Sequence, residues 1–155
     1  MRSITLLAAL VALSGAFAGA AQALPGTHSK LTPVGGGSGG GMIGISPTAH
    51  DVAGADTFDG QGTVNVHGLA PNTGYKLLRW IDLNPDGVCT GQFPSLSLPG
   101  DPTLTTSNGG AGALHFQISR GAPFVDGVRY DVIARVVDLD GNIVLESDCM
   151  TATIR

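Results

Sequence analysis

Apolar residues in this chain recur at every second position, in short runs broken by Gly, Pro, Asn and Asp, and no stretch holds the three-to-four spacing of an amphipathic helix. Alternation of this kind suits only strands with one buried face, because successive side chains of a strand point to opposite sides. In residues 62–68, Val64 and Val66 share one face and Thr63, Asn65 and His67 the other. Residues 112–119 put Leu114, Phe116 and Ile118 inward, His115 and Gln117 outward. Residues 128–139 line up Tyr130, Val132, Ala134 and Val136, and residues 74–83, GYKLLRWIDL, are apolar on both faces. Shorter strands are expected at 42–46 (stopped by Pro47), 103–106, 143–146 and 150–154, with Asp140-Gly141 as a hairpin turn. Seven to eight strands at regular spacing predict an all-β chain, and specifically an immunoglobulin-like Greek-key β-sandwich.

The first residues read differently. Arg2 precedes an apolar run over 4–18, and Ala21-Gln22-Ala23 matches the small-x-small pattern cut by signal peptidases. Residues 1–23 are therefore expected to be a signal peptide, too short and too rich in Ala and Gly for a membrane span. The product would be secreted, extracellular or periplasmic, with no membrane span after cleavage. Residues 24–41, with their run of Gly around Ser38, are expected to form a flexible tether, leaving 42–155 as the folded domain. Loss of Arg2 would leave seven Lys and Arg against twelve Asp and Glu. No window is basic, so nucleic acid and anionic membrane surfaces are poor candidate partners. In an oxidising compartment the chain's two cysteines, Cys89 and Cys149, are most simply a disulfide. It would close a loop of about 60 residues and contribute roughly 4 kcal/mol in the chain-entropy model.

Residues 68–75, GLAPNTGY, resemble the corner of fibronectin type III and other immunoglobulin-like sandwiches, where the chain crosses between sheets. The resemblance implies that the Tyr75 hydroxyl bonds back to the backbone. It sits early in this chain, whereas the type III corner lies near its domain's end, so it implies architecture and not adhesive function. Residues 64–75 are also similar to the early strand and turn of the Cu/Zn superoxide dismutase-like sandwich. That family's metal site needs a His-x-His pair and several further His; with four His and no His-x-His, this chain does not inherit the activity.

Candidate chemistry is sparse. Asp82, Asn84 and Asp86, followed by Gly87, hold oxygen ligands at the first, third and fifth positions of a calcium loop. Position twelve is Phe93 where a bidentate Glu belongs, and Asn-Pro-Asp-Gly is equally a good turn sequence. Calcium would need a further carboxylate, with Asp138 or Asp140 as candidates. His67 and His115 fall on outward faces of strands that an immunoglobulin-like sandwich could set side by side, giving two ligands for a transition metal. His50-Asp51 lies near Asp56 and Asp59, and His28 is in the expected tether. No Gly-x-Ser-x-Gly elbow is present, and Glu146 is the single Glu, so neither a nucleophile elbow nor a Glu pair for glycoside hydrolysis is encoded. Among aromatics, Trp80 is expected in the core, Tyr75 and Tyr130 at corners or in the core, and Phe93 and Phe124 in loops. The expectation is a non-catalytic binding or structural module at the cell exterior, without a cofactor, partnered by an extracellular protein or polymer. The alternatives are a calcium-binding module using the loop from Asp82 to Gly87 and, third, a small exported enzyme.

Overall fold

The computed structural model describes residues 27–52, 55–90 and 95–155. The expected signal peptide and Phe93 lie outside them. The strands are β1 (Thr27–Pro33), β2 (Gly40–Val52), β3 (Ala55–His67), β4 (Gly74–Asp82), β5 (Leu96–Ser97), β6 (Leu104–Thr105), β7 (Gly112–Arg120), β8 (Arg129–Val137), β9 (Ile143–Ser147) and β10 (Met150–Thr153). Among the described residues there is no helix, and every strand pair is antiparallel. The ladder runs β5-β4-β8-β9-β1-β2-β3-β7, with β10 on β8 and β6 on β4. This single sheet curls round one core, which draws Leu31, Ile43, Val64 and Phe116 from one half and Leu77, Val132, Val136 and Leu145 from the other.

The alternating patterns at 62–68, 112–119 and 128–139 become β3, β7 and β8 with the expected faces inward. Two boundary expectations fail. Residues 27–33 are not tether but β1, paired with β2 on one side and β9 on the other. Its own sequence offers one large apolar inward residue, Leu31, which is wholly buried, so the strand exists because two neighbours satisfy its backbone. The glycines after it serve a tight return. Gly39 has φ +98, and a Cβ there would lie 2.7 Å from the His67 carbonyl oxygen; one at Gly41 would lie 2.1 Å from that of Asn65. The folded domain thus begins by residue 27, not 42. Nor does Pro47 stop its strand: it pairs with Gly60 inside β2. The described β1 register ends at Ile45, so beyond it β3 is the one strand paired with β2 among the described residues, and a missing N–H is tolerated on the other side.

Tyr75 behaves as the corner resemblance implied, its hydroxyl accepting the Ala70 N–H at 3.2 Å. Trp80 does not enter the core. The inward residues of β4 are Tyr75, Leu77, Arg79 and Ile81. Parity places Trp80 on the outer face, half-buried, under the Arg135 guanidinium at 3.8 Å from the ring centroid. Arg135 is held in turn by Glu146, its cross-strand partner, at 2.5 Å.

Candidate functional site

Strand register assembles two outward-facing regions. The first lies on β1-β2-β3-β7. Among the described side chains, the outward residues of β2 are Gly40, Met42, Gly44 and Ser46, so apart from Met42 this stretch carries almost no side-chain bulk between its neighbours. One register row crosses the sheet as His28, Gly44, Thr63 and His115. The next contains Ser46, Gln61 and Gln117, and another Lys30, Met42, Asn65 and Ala113. The result is a hollow of about 740 Å³ lined by His28, Gly44, Gln61, Thr63, Asn65 and His115. A second, of about 520 Å³, lies over Gly40 between Lys30, Thr32 and His67. Met42, 52% exposed, borders both.

Imidazoles from both sides approach the glycines. A Cβ on Gly44 would come within 2.8 Å of His28 Nδ1, and one on Gly40 within 3.4 Å of His67. His115 Nδ1 is 2.9 Å from Thr63 Oγ1. The strands carrying His67 and His115 do pair, as the metal hypothesis required, but the register puts His115 opposite Thr63. His67 is four residues further along, about 13 Å at the rise of a strand, too far to share one ion with it. His50 and Asp51 pair with Thr57 and Asp56 in the outer part of the β2–β3 hairpin, with side chains outside the described set. Among the described residues, no three His, Cys, Asp or Glu side chains converge as metal ligands.

The second region is the loop after β4. Asp82 and Asp131 face each other across β4 and β8, and both are buried. Residues 83–90 fold beside them, anchored by the Cys89–Cys149 disulfide, whose Cα atoms are 5.6 Å apart. Asp82 Oδ1 accepts the Asn84 N–H at 2.9 Å, and Oδ2 accepts the Thr90 hydroxyl at 2.5 Å and N–H at 3.2 Å. The Thr90 hydroxyl first, then the Asn84 N–H, holds the Asp82 carboxyl below the ordinary carboxylate range. Asp131 accepts from Gly87 N at 2.6 Å and Thr151 Oγ1 at 2.5 Å. Asp86 accepts the Val88 N–H and the Asn84 side-chain amide, both at 2.8 Å.

Asp82, Asn84 and Asp86 are thus in one loop, but their carboxylate oxygens are committed to closing it. The extra carboxylate is Asp131, which nothing in the local sequence pattern signalled. Asp138 and Asp140 lie beyond the far end of β8, about 20 Å along the strand. There Asp138 closes the hairpin by accepting from Asn142 and Asp140. Phe124 is half-buried and meets Tyr130 edge-to-face at 5.7 Å, a lid on the core rather than an exposed platform.

Compared with protein-family models, with curated proteins and with solved structures, the chain finds no match.

Proposed function

We propose that this chain is an exported, non-catalytic binding module, and that its binding surface is the hollowed outer face of β1-β2-β3-β7. The observation that carries the reading is the row of His28, Gly44, Thr63 and His115, where missing bulk on β2 leaves a long recess among hydrogen-bonding side chains. The lining of the larger hollow contains no Asp, Glu, Lys or Arg. Amide, hydroxyl and imidazole groups at strand spacing suit an extended, uncharged chain rich in hydroxyls, so we read the partner as a neutral extracellular polysaccharide. The disulfide, the expected leader, and the fact that no helix among the described residues is long and apolar enough to cross a membrane are consistent with work outside the cell.

The finer architecture belongs to the same reading. One core is shared by β1-β2-β3-β7 and by β5-β4-β8-β9, and the chain crosses between these halves after β3, β6 and β7. Such crossings favour a two-layer Greek-key sandwich of the immunoglobulin-like kind, as the Gly68 to Tyr75 corner implied.

Co-sedimentation with insoluble cellulose and chitin, followed by an array of soluble neutral glycans, tests the ligand. Gly44→Leu puts bulk into the larger hollow, and its Cβ meets only the movable His28 ring, so it should keep the fold and lose binding. Equal behaviour of wild type and G44L would remove this face from consideration. No binding by either would overturn the polysaccharide reading.

A further inference from the structure

Arg79 occupies an inward position of β4 where its neighbours Leu77 and Ile81 are apolar, and it is 1% exposed. Its Nη2 donates to the Ser97 carbonyl at 3.3 Å, while Nε is buried with no hydrogen-bond partner. Among the described residues, no carboxylate forms an ion pair with it. Arg120 stands on β7 with the inward parity of Phe116 and Ile118 and borders the same cavity. The walls are otherwise apolar, from Ile45, Ile118 and Phe124, apart from Tyr130.

Two cations therefore face one small, mostly apolar space. A buried charge is costly unless paired, and a guanidinium does not escape by losing its proton at neutral pH. Burial first, then the charge of Arg120, pushes the Arg79 pKa down to about 10, which still leaves it cationic in any physiological compartment. Burial also pushes the Tyr130 phenol up to about 12, so its hydroxyl keeps its proton. A water could satisfy Nε but not the charge. The enclosed space is only about 10 Å³, so an anion fits there only as the half-buried Arg120 side chain at its rim moves aside, which excludes bulky anions.

We propose that the Arg79–Arg120 cavity is a binding site for one small monovalent anion, a halide or a carboxylate of formate size. The cavity lies on the inner side of the sheet, and Arg120 at its rim also borders the outer recess beside Ser46, Gln61 and Gln117.

The full exported chain is melted at constant ionic strength while gluconate is replaced by chloride, bromide or formate. The expected result is a saturable rise in Tm with the small anions. Arg120→Gln, a change at the half-buried rim, should keep the fold and abolish the rise; Arg79→Met should do the same. Crystals grown in bromide should show anomalous scattering between the two guanidinium groups. A halide response stronger than that to formate assigns an inorganic ion, and the reverse assigns a carboxylate. The same Tm in all four anions, a full rise retained in R120Q, or bromide bound only elsewhere would overturn the proposal.

Discussion

Strand β4 carries two buried ionic groups within four residues of one another, on opposite faces, and they are built in contrary ways. On the outer face, Asp82 and Asp131 are like charges side by side, yet each carboxylate oxygen accepts at least one hydrogen bond from Asn84, Gly87, Thr90 or Thr151. On the inner face, Arg79 and Arg120 are also like charges close together, and the Arg79 Nε donates to nothing. Burying ions is tolerable when fixed dipoles replace water, so the first pair is complete as it stands. The second is not. A buried charge with every partner supplied by the fold reads as structure, whereas a buried cation without a counter-charge points to something taken from outside.

The largest expected effect comes from removing the staple that keeps the acidic side complete. Cys89→Ser with Cys149→Ser should cost about 4 kcal/mol and lower Tm by roughly 10–20 °C. The β signal in far-ultraviolet circular dichroism should persist below the transition. A double variant that melts like the parent would show that the acidic loop is held by its hydrogen bonds alone.

Truncation on each side of the strand should then differ in sign. Asp131→Ala strands the Gly87 N–H and the Thr151 hydroxyl and should destabilise by about 2–4 kcal/mol in urea denaturation. Arg79→Met, in a buffer whose only anion is gluconate, replaces an uncompensated charge by an apolar chain of similar length. It should be neutral or stabilising by about 1–2 kcal/mol. If R79M destabilises as much as D131A, the cation has a partner within the fold and the contrast between the two faces collapses.

What the sequence disclosed follows the same division. The faces of β3, β7 and β8 were legible because β-branched and aromatic residues alternate there with polar ones, and the disulfide because two cysteines leave one pairing. β1 was hidden because it has one large inward apolar residue, Leu31, and its stability comes from β2 and β9 rather than from its own pattern. The β4 phase was misread because LLRWID is apolar on both faces; a tryptophan outranks an arginine as a core residue on chemistry alone, and only the register with β8 reverses the choice. The recess over β2 was hidden for a related reason. Glycines that look like a linker in sequence become a hollow only when β1 and β3 stand on either side. Asp131 gave no local signal, because its role depends on a cross-strand neighbour and on a loop folded over both.

Acid has a gentler effect, through Asp82 and Asp138. The Asp82 carboxyl is held below its ordinary value by hydrogen bonds to its charged form, as is that of Asp138 by Asn142. A group whose pKa is lower folded than unfolded adds stability above the unfolded value, near 4, and loses it as pH falls through the folded one. The urea midpoint should therefore stay level through the neutral range on account of these groups and fall below about pH 4. Asp82→Asn should make that fall shallower. An equally steep fall in D82N would place the acid-sensitive carboxylate elsewhere.

The smallest expected effect is that of calcium. A metal that binds only the folded state raises Tm by mass action. Here an ion at Asp82, Asn84 and Asp86 would have to displace the Thr90 hydroxyl, the Thr90, Asn84 and Val88 N–H groups, or the Asn84 amide, which already close the loop. Each displaced donor must then find water or remain unpaired, and the bidentate carboxylate of a strong calcium loop's twelfth position is not supplied by Asp131, whose own oxygens are in use. Millimolar calcium should leave Tm where chelator leaves it. A saturable rise that disappears in Asp86→Ala would show that the loop reopens for the ion. The acidic face of β4, like the basic one, would then be a site awaiting its counter-charge.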